Sequence, residues 1–222
     1  LDQIICIIPA AGQGLRMGAA VPKQYLSIGG RVILELTLDA LAACQPREMI
    51  VALNDNDEYF SGLHFDYPVR TVVGGRQRSE SVLNALKTVN ATEDSLVLVH
   101  DGVRPCLRFE DIKALVTVLD AHPVGGCLAV PVRETVKRVN RDDVVATLDR
   151  SQLWLAQTPQ VFRFGILKQA LTQFPDSTDE ASAIEQLGLQ PRVVQGHSDN
   201  IKITTGEDLV MAEVILKSRG RS

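Results

Sequence analysis

Three features of the sequence predict an α/β fold built on a mostly parallel twisted sheet flanked by helices. Short apolar runs of β type alternate with stretches of helical period along the chain. The run Leu96-Val97-Leu98-Val99 is apolar at every position, as in a strand covered on both faces. The first apolar run, Ile4 to Ile8, leads into a glycine-rich loop, and folds of this class bind ligands beyond the carboxyl ends of their strands.

The elements follow in order. After the first strand, a helix is expected from Val32 to Ala43, with Ile33, Leu34, Leu38 and Leu41 at helical spacing. Further strands are expected at Met49 to Leu53, Val69 to Val73, Leu96 to His100, Gly126 to Val130, Arg192 to Gln195 and Asn200 to Ile203. Helices are expected at Ser79 to Val89, with Ser79 as N-cap, and at Phe109 to Ala121, Phe164 to Phe174, Asp179 to Leu187 and Glu207 to Lys217. From Val132 to Asp149 the helical period is missing, and two β-branched, polar-alternating halves flank the turn-like Asn140-Arg141-Asp142-Asp143. This predicts one domain over residues 1–222 with a β-hairpin arm at about 132–149. A two-stranded ribbon is marginal in water, so a second subunit is the simplest candidate to cover it, the alternative being a floppy surface hairpin.

The 222 residues carry a formal net charge of -4 and are 45% hydrophobic, ordinary for a soluble globular protein. That balance argues against nucleic acid or an anionic membrane as partner, since both demand a broad basic face. Cys6, Cys44, Cys106 and Cys127 show no CxxC spacing and read as reduced core thiols. The first apolar run is far too short to span a membrane, and a cytoplasmic location is expected. The chain starts at Leu1 without Met, as if a few native residues were missing.

The segment after the first strand carries the chemistry. It reads Pro9-Ala10-Ala11-Gly12-Gln13-Gly14-Leu15-Arg16-Met17-Gly18, then Pro22-Lys23-Gln24-Tyr25. Small residues at Ala10, Ala11, Gly12 and Gly14 let backbone N–H groups approach a phosphate chain, and Arg16 and Lys23 supply fixed positive charge. A dinucleotide fingerprint fails at Met17, and no Walker loop occurs. A second loop, Gly74-Gly75-Arg76-Gln77-Arg78-Ser79, suits a nucleotide base or phosphate. A third, His100-Asp101-Gly102-Val103-Arg104-Pro105, offers Asp101 to a metal ion or to substrate hydroxyls and Arg104 to a phosphate. Asp101 hydrogen-bonding only its own loop is the plainer alternative.

In order, Pro9-Ala10-Ala11-Gly12-x-Gly14-x-Arg16-Met17, Pro22-Lys23-Gln24-Tyr25, Gly74-Gly75-x-x-Arg78-x-x-Ser81-Val82, His100-Asp101-x-x-Arg104-Pro105, Thr158-Pro159-Gln160, Thr178-Asp179-Glu180 and Asn200-Ile201-Lys202 together resemble the methylerythritol phosphate cytidylyltransferases over nearly the whole chain. The resemblance implies a Rossmann-like domain, a homodimer joined through the arm, CTP and a divalent metal, usually magnesium, and a place in the non-mevalonate isoprenoid pathway. It further implies that Arg16 and Lys23 stabilise the transition state and that Ala10, Ala11, Gly12, Gly75 and Ser81 hold the cytidine. Asp101, Arg104, Thr135, Thr158, Thr178 and Lys202 would surround the phosphorylated polyol, and Arg150 would reach into the neighbouring subunit's site. Two positions depart from the family pattern: Gly102-Val103 stands where many relatives carry two alanines, and Arg76 stands where an acidic residue is common.

The implied reaction is attack by a phosphate oxygen of the acceptor on the α-phosphorus of CTP. A phosphate monoester is mostly ionised at neutral pH, so no general base is needed, in keeping with a sequence that offers no Ser/His/Asp or paired-carboxylate arrangement. Positioning and charge neutralisation then carry the catalysis, and Arg16, Lys23 and Lys202 are the right chemical types for it. A polyol phosphate such as ribitol phosphate is the alternative acceptor. A non-catalytic nucleotide-binding subunit is the alternative of another class.

Overall fold

The computed structural model describes residues 3–12 and 21–220. Its centre is a seven-stranded sheet in the order β11-β7-β10-β6-β1-β4-β5. The strands are β1 Ile5–Pro9, β4 Glu48–Leu53, β5 Arg70–Val73, β6 Leu96–Val99, β7 Gly125–Pro131, β10 Trp154–Arg163 and β11 Arg192–Gln195. The short pair β2 (Ser27–Ile28) and β3 (Arg31–Val32) forms a separate ribbon. Among the described residues six α-helices complete the layers: α1 Ile33–Ala42, α2 Arg78–Lys87, α3 Phe109–Asp120, α4 Phe164–Gln173, α5 Glu180–Gln186 and α6 Gly206–Ser218.

The period of two along β1 sorts its side chains between two cores. Cys6 and Ile8 pack with Leu34, Leu38 and Leu41 of α1 and Leu115 of α3. Ile5 and Ile7 pack on the other face with Val82 and Leu86 of α2 and Leu167 and Leu171 of α4. A register slip of one residue would exchange the two sets, and both sets are apolar here, so register is held by the ladders to β4 and β6. A third cluster seats Ala212 and Leu216 of α6 against Ile28, Ile33 and Ile203. All four cysteines are buried and free, as their apolar context predicts.

Most of the expected elements are present with ends shifted by a residue or two, and four differences have clear reasons. The strand expected at Asn200 to Ile203 does not form: residues 200–204 have no regular structure, and their backbone groups bond instead to Arg104, Val103 and Lys23. Conversely, β10 was not expected. Pro159 and the polar Gln157, Thr158 and Gln160 disguise it, since proline cannot donate to a ladder. It is the antiparallel member of the sheet, paired with β6 and β7, and its register to β7 shifts between Ala156 and Gln160. Ser79 is not an N-cap: Gln77 holds that position, and buried Ser79 lies inside α2 with its hydroxyl donating to Pro175 O. The helix expected from Asp179 starts at Glu180, and Asp179 is its cap, accepting from Ser182 N at 2.9 Å.

The arm exists as β8 Val136–Asn140 and β9 Asp143–Leu148, an antiparallel pair forming its own two-stranded sheet. Arg141 turns it with φ 52, in the left-handed region. Val139, Val144, Val145 and Leu148 on the arm, with Trp154 and Leu155 beside its base, are all exposed. Among the described residues no helix is long and apolar enough to cross a membrane.

Candidate active site

Residues of all seven segments singled out in the sequence meet above the carboxyl edge of the sheet. The β1–β4 ladder continues one residue past the strand, with Ala10 N donating to Ala52 O at 2.8 Å. The chain then turns into Ala11 and Gly12. Both carbonyls of this turn are held by one side chain: Gln24 Nε2 donates to Ala10 O at 2.8 Å and to Gly12 O at 3.2 Å. Gln24 is 4% exposed, so those bonds form where water does not compete. The adjacent Lys23 donates to Ile203 O at 3.3 Å.

The Gly74-Gly75 loop leaves β5 alongside. A Cβ on Gly74 would stand 2.6 Å from Ala11 Cβ, so only glycine lets the two loops touch. Ser81 Oγ accepts from Gly75 N and donates to Gln77 O, both at 3.0 Å, and thereby folds the loop back on the start of α2. Ala10, Ala11, Gly12, Gly75, Ser81 and Lys23 line one cavity, whose far wall is Asp101 and Lys202.

A second, adjoining cavity is lined by Arg104, Thr158, Thr178 and Asp179, and by Arg78, Asp101 and Lys202, the three residues that belong to both. Because β10 runs against β6, with Gln160 opposite Val99, its middle delivers Thr158 to the level where β6 ends. Thr158 Oγ1 accepts from Asp101 N at 3.1 Å and lies 3.0 Å from His100 Nδ1. Arg104 O sits 3.2 Å from His100 Nε2, and a carbonyl only accepts, so the proton of this buried imidazole is on Nε2 and Nδ1 accepts from the threonine. Burial pushes the His100 pKa down to about 4.

Asp101 is the electrostatic centre. Its Oδ1 accepts from Arg78 Nε at 3.0 Å, and its Oδ2 from Lys202 Nζ at 3.0 Å and Arg104 Nε at 3.2 Å. Burial alone would raise its carboxyl, but Arg78, Lys202 and Arg104 hold it well below the usual carboxylate range. Arg78 also reaches Glu180 at 2.5 Å, a carboxylate with no solvent exposure. Burial pushes Glu180 up, with Arg78 opposing. Gln160 fixes this acidic segment, accepting from Ala181 N at 2.9 Å and donating to Asp179 Oδ2 at 2.8 Å. The site thus presents a ring of cations around one fixed anion, suited to holding two phosphorylated ligands side by side.

Of the residues picked from the sequence, Ala10, Ala11, Gly12, Lys23, Gly75, Ser81, Asp101, Arg104, Thr158, Thr178 and Lys202 converge here. Thr135 and Arg150 are exposed at the two roots of the arm and line neither cavity. Gly14 and Arg16 lie outside the described residues. Three residues at the centre were given no role from sequence: Arg78, Gln24 and Glu180. Arg78 and Gln24 sit inside the quoted motifs, beside a glycine pair and a lysine, which was the available signal. Glu180 also sits inside a quoted motif, Thr178-Asp179-Glu180, but its pairing with an arginine far away in the chain leaves no local trace.

For a divalent metal the site offers few donors. Among the described residues no three His, Cys, Asp or Glu side chains gather into a ligand set. A carboxylate has about four lone-pair directions, and Asp101 uses three, leaving one on Oδ1. That suits magnesium, which keeps its waters and binds through one or two carboxylates plus substrate phosphates.

The family model described as 2-C-methyl-D-erythritol 4-phosphate cytidylyltransferase (IspD) matches residues 4–218. Proteins of that description from Chromobacterium violaceum and Haemophilus influenzae are 45% and 47% identical, the alignments covering 97% and 96% of this chain and 99% and 96% of theirs. Among solved structures, a 4-diphosphocytidyl-2C-methyl-D-erythritol synthase superposes with TM-score 0.86 at 36% identity over 97% of this chain and 99% of its own. The Francisella tularensis 2-C-methyl-D-erythritol 4-phosphate cytidylyltransferase gives 0.83 at 38% identity, over 96% of this chain and all 100% of that one.

Proposed function

The chain belongs to the 2-C-methyl-D-erythritol 4-phosphate cytidylyltransferase family, and from that premise we propose how its residues divide the work. The protein transfers CMP from CTP to 2-C-methyl-D-erythritol 4-phosphate, releasing pyrophosphate and forming 4-diphosphocytidyl-2-C-methyl-D-erythritol for the non-mevalonate isoprenoid pathway. The observation that carries the assignment is Asp101, shared by two adjoining cavities and ringed by Arg78, Arg104 and Lys202.

The glycine-rich cavity takes CTP. Ala10, Ala11, Gly12 and Gly14 offer their backbone to the nucleotide, and Gly75 and Ser81 shape the loop against the cytidine. The second cavity takes the acceptor, with Arg104 on its phosphate and Asp101, Thr158 and Thr178 on its hydroxyls. An ionised oxygen of that phosphate attacks the α-phosphorus as the bond to the bridging oxygen breaks, and the electron pair leaves with pyrophosphate. Arg16, Lys23 and Lys202 neutralise the charge that builds on the phosphoryl oxygens. Asp101, with one lone pair left, would hold magnesium only in place of a hydroxyl; bound to the triphosphate, the ion would supply further neutralisation of that charge. No proton needs to be removed, so buried neutral His100 acts only in orienting Thr158.

The exposed valines of the arm favour a homodimer, each arm lying on the partner and carrying Thr135 and Arg150 to the neighbouring site. Residues 1–222 then act as one domain, in the cytoplasm.

The test is pyrophosphate release with magnesium and methylerythritol phosphate, comparing CTP with ATP, UTP and GTP. Release with CTP alone is expected, and Lys23→Ala should lower turnover about 100-fold, the scale seen when one preorganised donor is lost. Equal rates with ribitol phosphate would change the acceptor, and near-normal turnover of Lys23→Ala would remove Lys23 from the catalytic set.

A further inference from the structure

Residues 196–205 link β11 to α6 without regular structure, and yet they carry Lys202 to within 3.0 Å of Asp101 Oδ2. A loop has no ladder of its own, so the precision of a side chain on it is set by what the loop is tied to. Several ties run into the site itself: Asn200 Nδ2 donates to Thr158 O at 2.8 Å, Asn200 O accepts from Arg104 at 2.7 Å, and Ile203 N donates to Val103 O at 3.0 Å.

One tie has no part in the chemistry above. Asp199 Oδ2 is gripped by Arg219 Nη2 at 2.5 Å and by Arg108 Nη2. Arg108 precedes α3 and Arg219 follows α6. Arg219 Nη1 also donates to Cys106 O at 2.8 Å, so a single guanidinium joins the Lys202 loop to the segment that descends from Asp101 and Arg104. Burial would raise the Asp199 carboxyl, but its bonds from Arg108 and Arg219 hold it below the usual range, so it is ionised at neutral pH. Arg108, Asp199 and Arg219 line neither half of the site and instead border a separate surface cavity beside Phe109.

We infer that the Arg108–Asp199–Arg219 clamp sets the position of Lys202, which makes these three the positioning residues of the transfer reaction from outside the site. The inference rests on the role given to Lys202 above. Partly exposed ion pairs add little to stability, so the leverage of the clamp is geometric: it acts three residues from the ammonium, where a displacement near 1 Å is costly to catalysis.

The test is a cycle on the full chain with CTP, magnesium and methylerythritol phosphate. Asp199→Ala is expected to lower kcat about 10-fold, and Arg219→Ala similarly, with Arg219→Lys recovering part of the loss. In a Lys202→Ala background, Asp199→Ala should then cost less than about twofold, because residues that act through one another do not add. The same fractional loss in both backgrounds, or unchanged kcat for Asp199→Ala while Lys202→Ala is crippled, overturns the clamp. If Lys202→Ala itself turns over normally, the role of Lys202 fails first and takes the clamp with it. Should Asp199→Ala not fold, the isosteric Asp199→Asn is read in the same cycle.

Discussion

Replacing Arg78 with methionine is expected to lower the unfolding free energy by about 3–5 kcal/mol, the cost of leaving a buried charge without its partner. Glu180 has no exposed surface, and the guanidinium 2.5 Å away is its counter-ion. Arg78 Nη2 and Glu180 Oε2 are themselves buried without a hydrogen-bond partner, so the pair is strained in its solvation even when intact. For the same reason Arg78→Met/Glu180→Leu should recover more than half of the loss, since an apolar pair of similar volume often matches a buried ion pair. Turnover should not recover with it. Asp101 would keep Arg104 and Lys202 but lose the bond from Arg78 to Oδ1, and with it the orientation that faces both cavities. Urea unfolding of the two variants beside a pyrophosphate-release assay separates the effects. A single-variant cost below about 1 kcal/mol would mean the pair behaves as a solvated surface bridge.

Arg78 also shows where sequence reading stops. The glycine-rich cradle, the Asp101 loop and the alternation of strands and helices were legible because each is a local pattern: small residues beside cations, an acid at the end of an apolar run, a period of two or 3.6. The partner of Arg78 was not legible, since Glu180 is brought to it by the packing of α5 on α4 and of α2 on the same face. β10 was hidden by Pro159, whose place in the ladder is accommodated by the register shift between Ala156 and Gln160. The Asn200 to Ile203 segment erred the other way. Its β-branched residues suggest a strand, but its backbone is tied elsewhere: Asn200 O accepts from Arg104, Ile203 N donates to Val103 O and Ile203 O accepts from Lys23. In the second case contacts to the cavity residues overrode local propensity, which is where such conflicts are expected to gather.

His100 should make the protein less stable as pH falls from about 6.5 to about 4. In the unfolded chain its imidazole titrates near 6.5, whereas in the fold burial lowers it to about 4. Between those values the unfolded state binds a proton that the folded state does not, so stability rises with pH across the window, is complete above it, and stops falling once the folded form also protonates. The size is about 3 kcal/mol, from a shift of roughly 2.5 units at 1.36 kcal/mol each. Asp101 does not mask the effect: its carboxyl is held far down in the fold and near 3.9 when unfolded, so its contribution stays constant until the pH drops below that. Unfolding in urea at pH 7, 6 and 5 measures the slope directly. His100→Gln, which can still donate to Arg104 O and accept from Thr158, should flatten it, and a variant with the wild-type slope would place the titrating group elsewhere. Because His100 holds Thr158, and Thr158 holds the backbone of Asp101, protonation of the imidazole is also expected to remove the bond that Thr158 donates to Nδ1.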